Sequence, residues 1–162
     1  MTRSIHRAAA EHLPPEAPLI AETGGLNAML VDSTSLPEQA VRDIVLSAFR
    51  STGQRCSACR VLYVQADVAD RMIAMLKGAM DELSLGDPWQ LNSDLGPVIT
   101  AEARAKLAAH IENASGEGRL LHPGAAPADS LFLAPALREI DSIADLGEES
   151  FGPVLQGARF EA

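Results

Sequence analysis

The chain has 162 residues, 47% of them apolar, 22% charged and only 4% aromatic, and its formal net charge is -9. That length supports one sizeable core, built here from Ala, Leu, Val, Ile and Met. The acidic balance argues against nucleic-acid or anionic-membrane partners, which need a basic face, and no apolar run reaches the roughly 18 residues that cross a bilayer.

The N-terminus, MTRSIHRAAAEHLPPEAP, has basic residues but no continuous apolar stretch of the secretory kind. The reading is therefore cytoplasmic, with no membrane insertion, and two cysteines in such a chain are thiols rather than a structural disulfide. Residues 2–12 read as a short helix ended by Pro14-Pro15. Leu19-Ile20-Ala21 reads as a short buried strand and Gly24-Gly25 as a turn. The continuous apolar run NAMLV (27–31) predicts a second strand covered on both faces. After a loop at Asp32-Ser33, Pro37 and Glu38 open a helix whose Val41, Ile44, Val45, Ala48 and Phe49 recur at helical spacing.

Gly53 breaks that pattern just before Cys56 and Cys59. RVLYVQ (60–65) is rich in β-branched and aromatic residues and predicts a strand. A helix follows from Val68 to about Leu83, with Met72, Ile73, Leu76 and Met80 on one stripe, then a loop at Gly86-Asp87-Pro88. LGPVI (95–99) leads to a helix from Ala101 to about Asn113, and GEG (116–118) turns into a short strand, RLLH. PGAAPAD (123–129) is a loop. LFLAPALREI (131–140) reads as an edge or bent strand because of its internal Pro. Ile143 to Leu146 leads into GEESFGPVL and a last strand, VLQGARFEA, which stops abruptly. Strands alternating with longer helices predict an α/β fold with a mostly parallel sheet and helices on both faces, incomplete at both ends.

TGQRCSACR (52–60) poses the chemical question. A C-x-x-C redox pair belongs at a helix N-terminus after a strand, and here the order is reversed. Zinc needs about four ligands; there is no second C-x-x-C, and His6, His12, His110 and His122 are scattered and read as solvated or loop histidines, so no metal is expected. The third reading is a single nucleophile at Cys56, with the Gly-Gln-Arg turn presenting its sulfur and aiming N–H groups at an oxyanion, and with Arg55 and Arg60 adding positive charge. On this segment alone, a small buried hydrophobe fits Cys56 equally well.

Two further stretches weigh on that choice. ETGG (22–25) puts Glu22 at the end of the short buried strand read at 19–21, beside a glycine turn, and a buried carboxylate needs a partner or a task. Chemistry in open α/β sheets collects at the carboxyl ends of strands, where Glu22 and Cys56 could meet as base and nucleophile. EESFGPV (148–154) sets two acids before Phe-Gly-Pro.

ETGG, GQRCSA and EESFGPV, in this order and at these separations, resemble the catalytic domain of the aldehyde dehydrogenase superfamily over nearly the whole chain. The longer strings LIAETGGLNAMLVDSTSLPEQ, SAFRSTGQRCSACRVLYVQ and VADRMIAMLKGAMDEL are more similar to the L-glutamate γ-semialdehyde (1-pyrroline-5-carboxylate) dehydrogenase branch, especially its members fused to a proline dehydrogenase. The resemblance implies that Cys56 attacks the aldehyde and carries a thiohemiacetal, then a thioester. It implies that Glu22 activates the hydrolytic water and that Glu149 bonds the nicotinamide ribose of NAD, with Phe151 and Gly25 beside the cofactor. It also implies that Ser57 helps hold the substrate's α-carboxylate and that Cys59 is a core side chain.

On the same resemblance, residues 1–18 are the remnant of the cofactor-binding side and residues 19–162 a partial catalytic (thiol) domain. The Gly-rich phosphate loop, the oxyanion-hole Asn and the C-terminal part of the carboxylate anchor are all absent. The expected partner is a small-molecule aldehyde, with a homo-oligomer or association through bare edges left open. The isolated chain is expected to keep a reactive thiol without completing turnover. The competing reading is a non-catalytic α/β interaction module left by truncation, with the C-x-x-C oxidoreductase behind it.

Overall fold

The computed structural model describes residues 2–127, 130–147 and 149–161. Glu148, the first acid of EESFGPV, and the last two residues of PGAAPAD lie outside the described residues. In chain order the strands are β1 (Asn27–Val31), β2 (Cys59–Gln65), β3 (Leu120–His122), β4 (Ala136–Glu139) and β5 (Val154–Phe160). The helices are α1 (Thr2–His12), α2 (Pro37–Phe49), α3 (Ala66–Asp81) and α4 (Ala101–Gly116). Among the described residues the strands form one sheet in the order β1-β2-β5-β4-β3. β1, β2, β5 and β4 run parallel, and β3 pairs antiparallel with β4.

Local chemistry sets the helix starts. Pro37 occupies the first turn of α2, where its missing N–H costs nothing, and Glu38 meets the positive end of the dipole. Thr100 caps α4 by accepting a hydrogen bond from the Ala103 N–H. The apolar stripes then choose their faces. Ile44 and Phe49 of α2 and Met72 and Leu76 of α3 pack with Leu62, Leu137 and Leu155 of the sheet. Each such side chain contributes roughly 1.5–3 kcal/mol through burial. Strand residues alternate in direction, so Ala136 and Val154 face the other way and meet Leu107 of α4. Helices therefore cover both faces, as the alternation of elements predicts.

Three sequence expectations change. Leu19-Ile20-Ala21 is not a buried strand but a segment without regular structure, with Ile20 85% exposed; the three residues pair with no strand of the sheet. NAMLV is a strand, but at the sheet edge: Val31 is buried while Leu30 is 71% exposed. β4 is not at an edge, since β5 and β3 flank it. Pro135 sits immediately before the first strand residue, so no ladder hydrogen bond is lost. The last strand, β5, runs through the middle of the sheet between β2 and β4.

Two histidines also depart from the solvated reading. His122 is buried on β3, 3.4 Å from Asp81. His110 is half-buried on α4, accepts from the Arg138 guanidinium at 3.3 Å and lies 3.2 Å from Gln156 Nε2. Burial first, then Arg138, lowers its pKa and favours the neutral ring. No described helix is long and apolar enough to cross a membrane. Among the described residues no three His, Cys, Asp or Glu side chains gather as a metal site.

Candidate active site

β1, β2 and β5 are parallel, so the loops that precede them arrive at one edge of the sheet. Glu22 lies ahead of β1, Cys56 ahead of β2, and Glu149 and Phe151 ahead of β5. The site therefore forms at the amino-terminal ends of these strands. This corrects the carboxyl-end expectation, a rule for ligands that bind in the crevice where strand order reverses.

The cysteine loop is built by a sharp reversal. After α2 a 3-10 turn, Arg50–Gly53, takes left-handed backbone at Ser51 (φ 59°), Thr52 (φ 57°) and Gly53 (φ 64°). Two non-glycine residues in that region are strained and need outside support. The Thr52 hydroxyl supplies some by donating to the Gly96 carbonyl at 2.9 Å. Glycine is favoured at 53 on a second count, because a Cβ there would run into the Gly152 carbonyl. Gln54 donates to the Pro97 carbonyl and accepts from the Ile99 N–H at 2.8 Å. A tight turn follows, closed by Ala58 N–H to the Arg55 carbonyl at 3.1 Å, with Cys56 and Ser57 at its corner, both exposed. Asn27 holds the far side of the turn, donating to the Cys56 carbonyl and to the Ala58 carbonyl at 3.3 Å.

Cys56 opens into a cleft of about 580 Å³. Glu22, Gln54 and Phe151 share its walls with Ile20, Ile99 and Ile5 of α1, so the lining is largely apolar. The structure thus brings Cys56, Glu22 and Phe151 together. Glu22 is exposed and lies on a segment without regular structure, not at the end of a buried strand. The burial argument for it falls, and its place in the cleft remains. Gly25, Ser57 and Glu149 are not cleft walls. Glu149 sits behind the double glycine: its Oε2 accepts from the Gly25 N–H at 2.9 Å, and a Cβ on Gly24 would come within 2.1 Å of the same oxygen. Its Oε1 is buried, 3.8 Å from Arg60 Nε, with no hydrogen-bond partner.

The two cysteines have opposite surroundings. Both are free thiols. Cys59 is 3% exposed in the main core, its Sγ donating to the Val61 carbonyl at 3.3 Å. Burial pushes its thiol up to about 11. That environment suits a core side chain and makes a poor redox partner. Arg55 and Arg60 do not aim charge at the Cys56 sulfur. Arg55 reaches the carbonyls of Leu46 and Ser47 at the end of α2, and Arg60 is buried.

Asn27, outside the three motifs, also holds this arrangement; its only trace is a polar residue at the head of an apolar strand run. Gln54, Gly24 and Arg60 stand inside the motifs, but the contacts they make were not legible there, because those depend on which loops meet.

The sequence matches the aldehyde dehydrogenase family over residues 1–162. It is 45% identical to the bifunctional protein PutA of Klebsiella aerogenes over 167 residues, covering 96% of this chain and 13% of that protein. It is 37% identical to the 1-pyrroline-5-carboxylate dehydrogenase of Geobacillus kaustophilus, covering 87% of this chain and 28% of that protein. Among solved structures, a bifunctional proline utilization A protein superposes with a TM-score of 0.89 at 53% identity, covering 98% of this chain and 16% of the other. A betaine aldehyde dehydrogenase from Staphylococcus aureus, solved in complex with NAD+, gives 0.85 at 27% identity over 99% of this chain and 33% of its own. The chain thus spans about an eighth of the first of these relatives and under a third of the second. A thiol exposed at a strained turn, a carboxylate lining the same cleft and a match along the full sequence agree: the chain belongs to the aldehyde dehydrogenase family.

Proposed function

We propose that this chain is the thiol-bearing part of a cytoplasmic NAD(P)-dependent aldehyde dehydrogenase that oxidises L-glutamate γ-semialdehyde to glutamate in proline catabolism. Residues 1–18 belong on this reading to the cofactor-binding side and residues 19–162 to the catalytic domain. The single observation that carries the reading is Cys56, exposed in an apolar cleft that Glu22 and Phe151 also line. The named relatives, PutA and 1-pyrroline-5-carboxylate dehydrogenase, point to the substrate class.

The residues present fit the nicotinamide end of a dinucleotide. Glu149 keeps a buried oxygen without a hydrogen-bond partner, suited to a ribose hydroxyl, and Phe151, 38% exposed, lines the cleft. When bound, NAD or its phosphate supplies the hydride acceptor. The chain's own steps follow from its geometry. The Cys56 thiolate adds to the aldehyde carbon, forming a C–S bond and an alkoxide. A thiol suits this task because it attacks carbonyls well and leaves readily from the resulting thioester. After oxidation, Glu22 takes a proton from water across the cleft. The hydroxide so generated adds to the thioester carbon, the C–S bond breaks, and the acid departs with Cys56 again a thiolate. Ser57, one residue beyond Cys56 on the same turn, is assigned to the substrate's α-carboxylate.

Thiol alkylation combined with a turnover assay tests the proposal. Iodoacetamide is expected to modify Cys56 well ahead of Cys59. The isolated chain given NAD and glutamate semialdehyde is expected to form no NADH. Equal, slow labelling of both cysteines would sink the active-site reading, and robust turnover by the chain alone would sink the assignment of half the machinery to other segments.

A further inference from the structure

Arg60 carries a positive charge into the buried strand β2 and is itself 3% exposed. Removing a guanidinium from water costs several kcal/mol, so its partners define its purpose. Nη2 donates to the carbonyl of Arg55 at 3.0 Å, the residue immediately before Cys56. Nη1 donates to the carbonyl of Gly152 at 3.2 Å. The guanidinium lies 5.2 Å from the centre of the Phe151 ring, within cation–π range. Nε faces Glu149 Oε1 at 3.8 Å, and both atoms are buried without a hydrogen-bond partner. One planar side chain therefore touches the cysteine turn on one side and Glu149, Phe151 and Gly152 on the other.

The other supports of the 149–152 loop are passive by comparison. Gly53 and Gly24 allow close approach, and the Gly25 N–H donates to one carboxylate oxygen. We propose that Arg60 is a positioning residue that clamps the Glu149–Gly152 loop against the cysteine turn, so that nucleophile and cofactor-side carboxylate keep a fixed spacing. What the carboxylate is for rests on the dehydrogenase reading above; the clamp itself does not. The role depends on a rigid fork with three separately directed nitrogens. A lysine ammonium, a point charge on a flexible stem, cannot reproduce it.

Amide hydrogen exchange on Arg60→Met and Arg60→Lys chains tests the clamp, with iodoacetamide labelling of the unmodified chain alongside. Loss of the clamp frees Glu149 from Gly25, so the Gly25 amide is expected to exchange roughly tenfold faster in both variants while α3 amides hold their rates. The lysine variant keeps the charge and carries the test if the methionine variant does not fold. Unchanged Gly25 exchange overturns the clamp, as does acceleration of Gly25 and α3 amides together by one factor, the mark of general destabilisation. Selective labelling of Cys56 with unchanged Gly25 exchange removes the clamp and leaves the dehydrogenase reading standing. Faster Gly25 exchange with no preference for Cys56 leaves the clamp and removes that reading.

Discussion

The face of the sheet under α2 and α3 and the loops at its amino-terminal edge are built on opposite rules. Under the helices, Ile44, Leu62, Leu76 and Leu155 are at most 1% exposed, and regular elements hold them. At the edge, the backbone turns left-handed at Ser51, Thr52 and Gly53, and polar side chains hold carbonyls from one loop to the next. The two cysteines mark the border: Cys59 belongs to the core and Cys56 to the cleft. The lesson is a division of labour. Apolar burial supplies the stability, and that stability maintains a strained turn which presents a thiol.

Substitutions at the two regions should separate these contributions. The largest effect is expected in the core: Leu62→Ala on β2 should cost about 2–5 kcal/mol in urea unfolding. A cost near zero would mean that the helix-covered face does not carry the fold. Gly53→Ala should cost about 1–3 kcal/mol from its left-handed backbone. The added Cβ also collides with Gly152, so iodoacetamide labelling of Cys56 should slow as well. Unfolding midpoint and labelling rate moving independently would break the link between strain and presentation.

The cysteines give a smaller, pH-dependent contrast. Cys59 titrates at about 11 when folded, against an ordinary 9.0. Between those values the unfolded chain has released a proton that the folded chain still holds. Stability should therefore fall as pH rises from about 9 to about 11. Cys59→Ala should flatten part of that fall, whereas Cys56→Ser should leave the unfolding free energy within about 0.5 kcal/mol at neutral pH. Equal pH profiles for Cys59→Ala and the unmodified chain would contradict the buried-thiol assignment. Smallest of all, Glu102→Gln removes an ion pair to Lys106 whose partners are 80% and 75% exposed. No measurable shift of the midpoint is expected on thermal unfolding.

Much of the fold could be read directly because periodicity is local. The stripe Met72, Leu76, Met80 marked α3, Pro37 and Glu38 marked the start of α2, and RVLYVQ marked β2. Composition along a segment does not report its neighbours, so NAMLV read as doubly covered although it forms an edge, and LFLAPALREI read as an edge or bent strand although β4 is interior. The candidate site was legible as three motifs. Their meeting at the amino-terminal edge was not, since it depends on β1, β2 and β5 being adjacent and parallel.

By itself, then, the sequence determined the helices and most strands, the α/β class, the family resemblance and the residues worth suspecting. Those signals reside in contiguous residues and their spacing. Tertiary structure alone decided which edge of the sheet carries the cleft, and that Arg60 and Asn27 hold carbonyls of the thiol turn. Those outcomes arise from strand order and from desolvation of groups far apart in the chain, which no local pattern encodes.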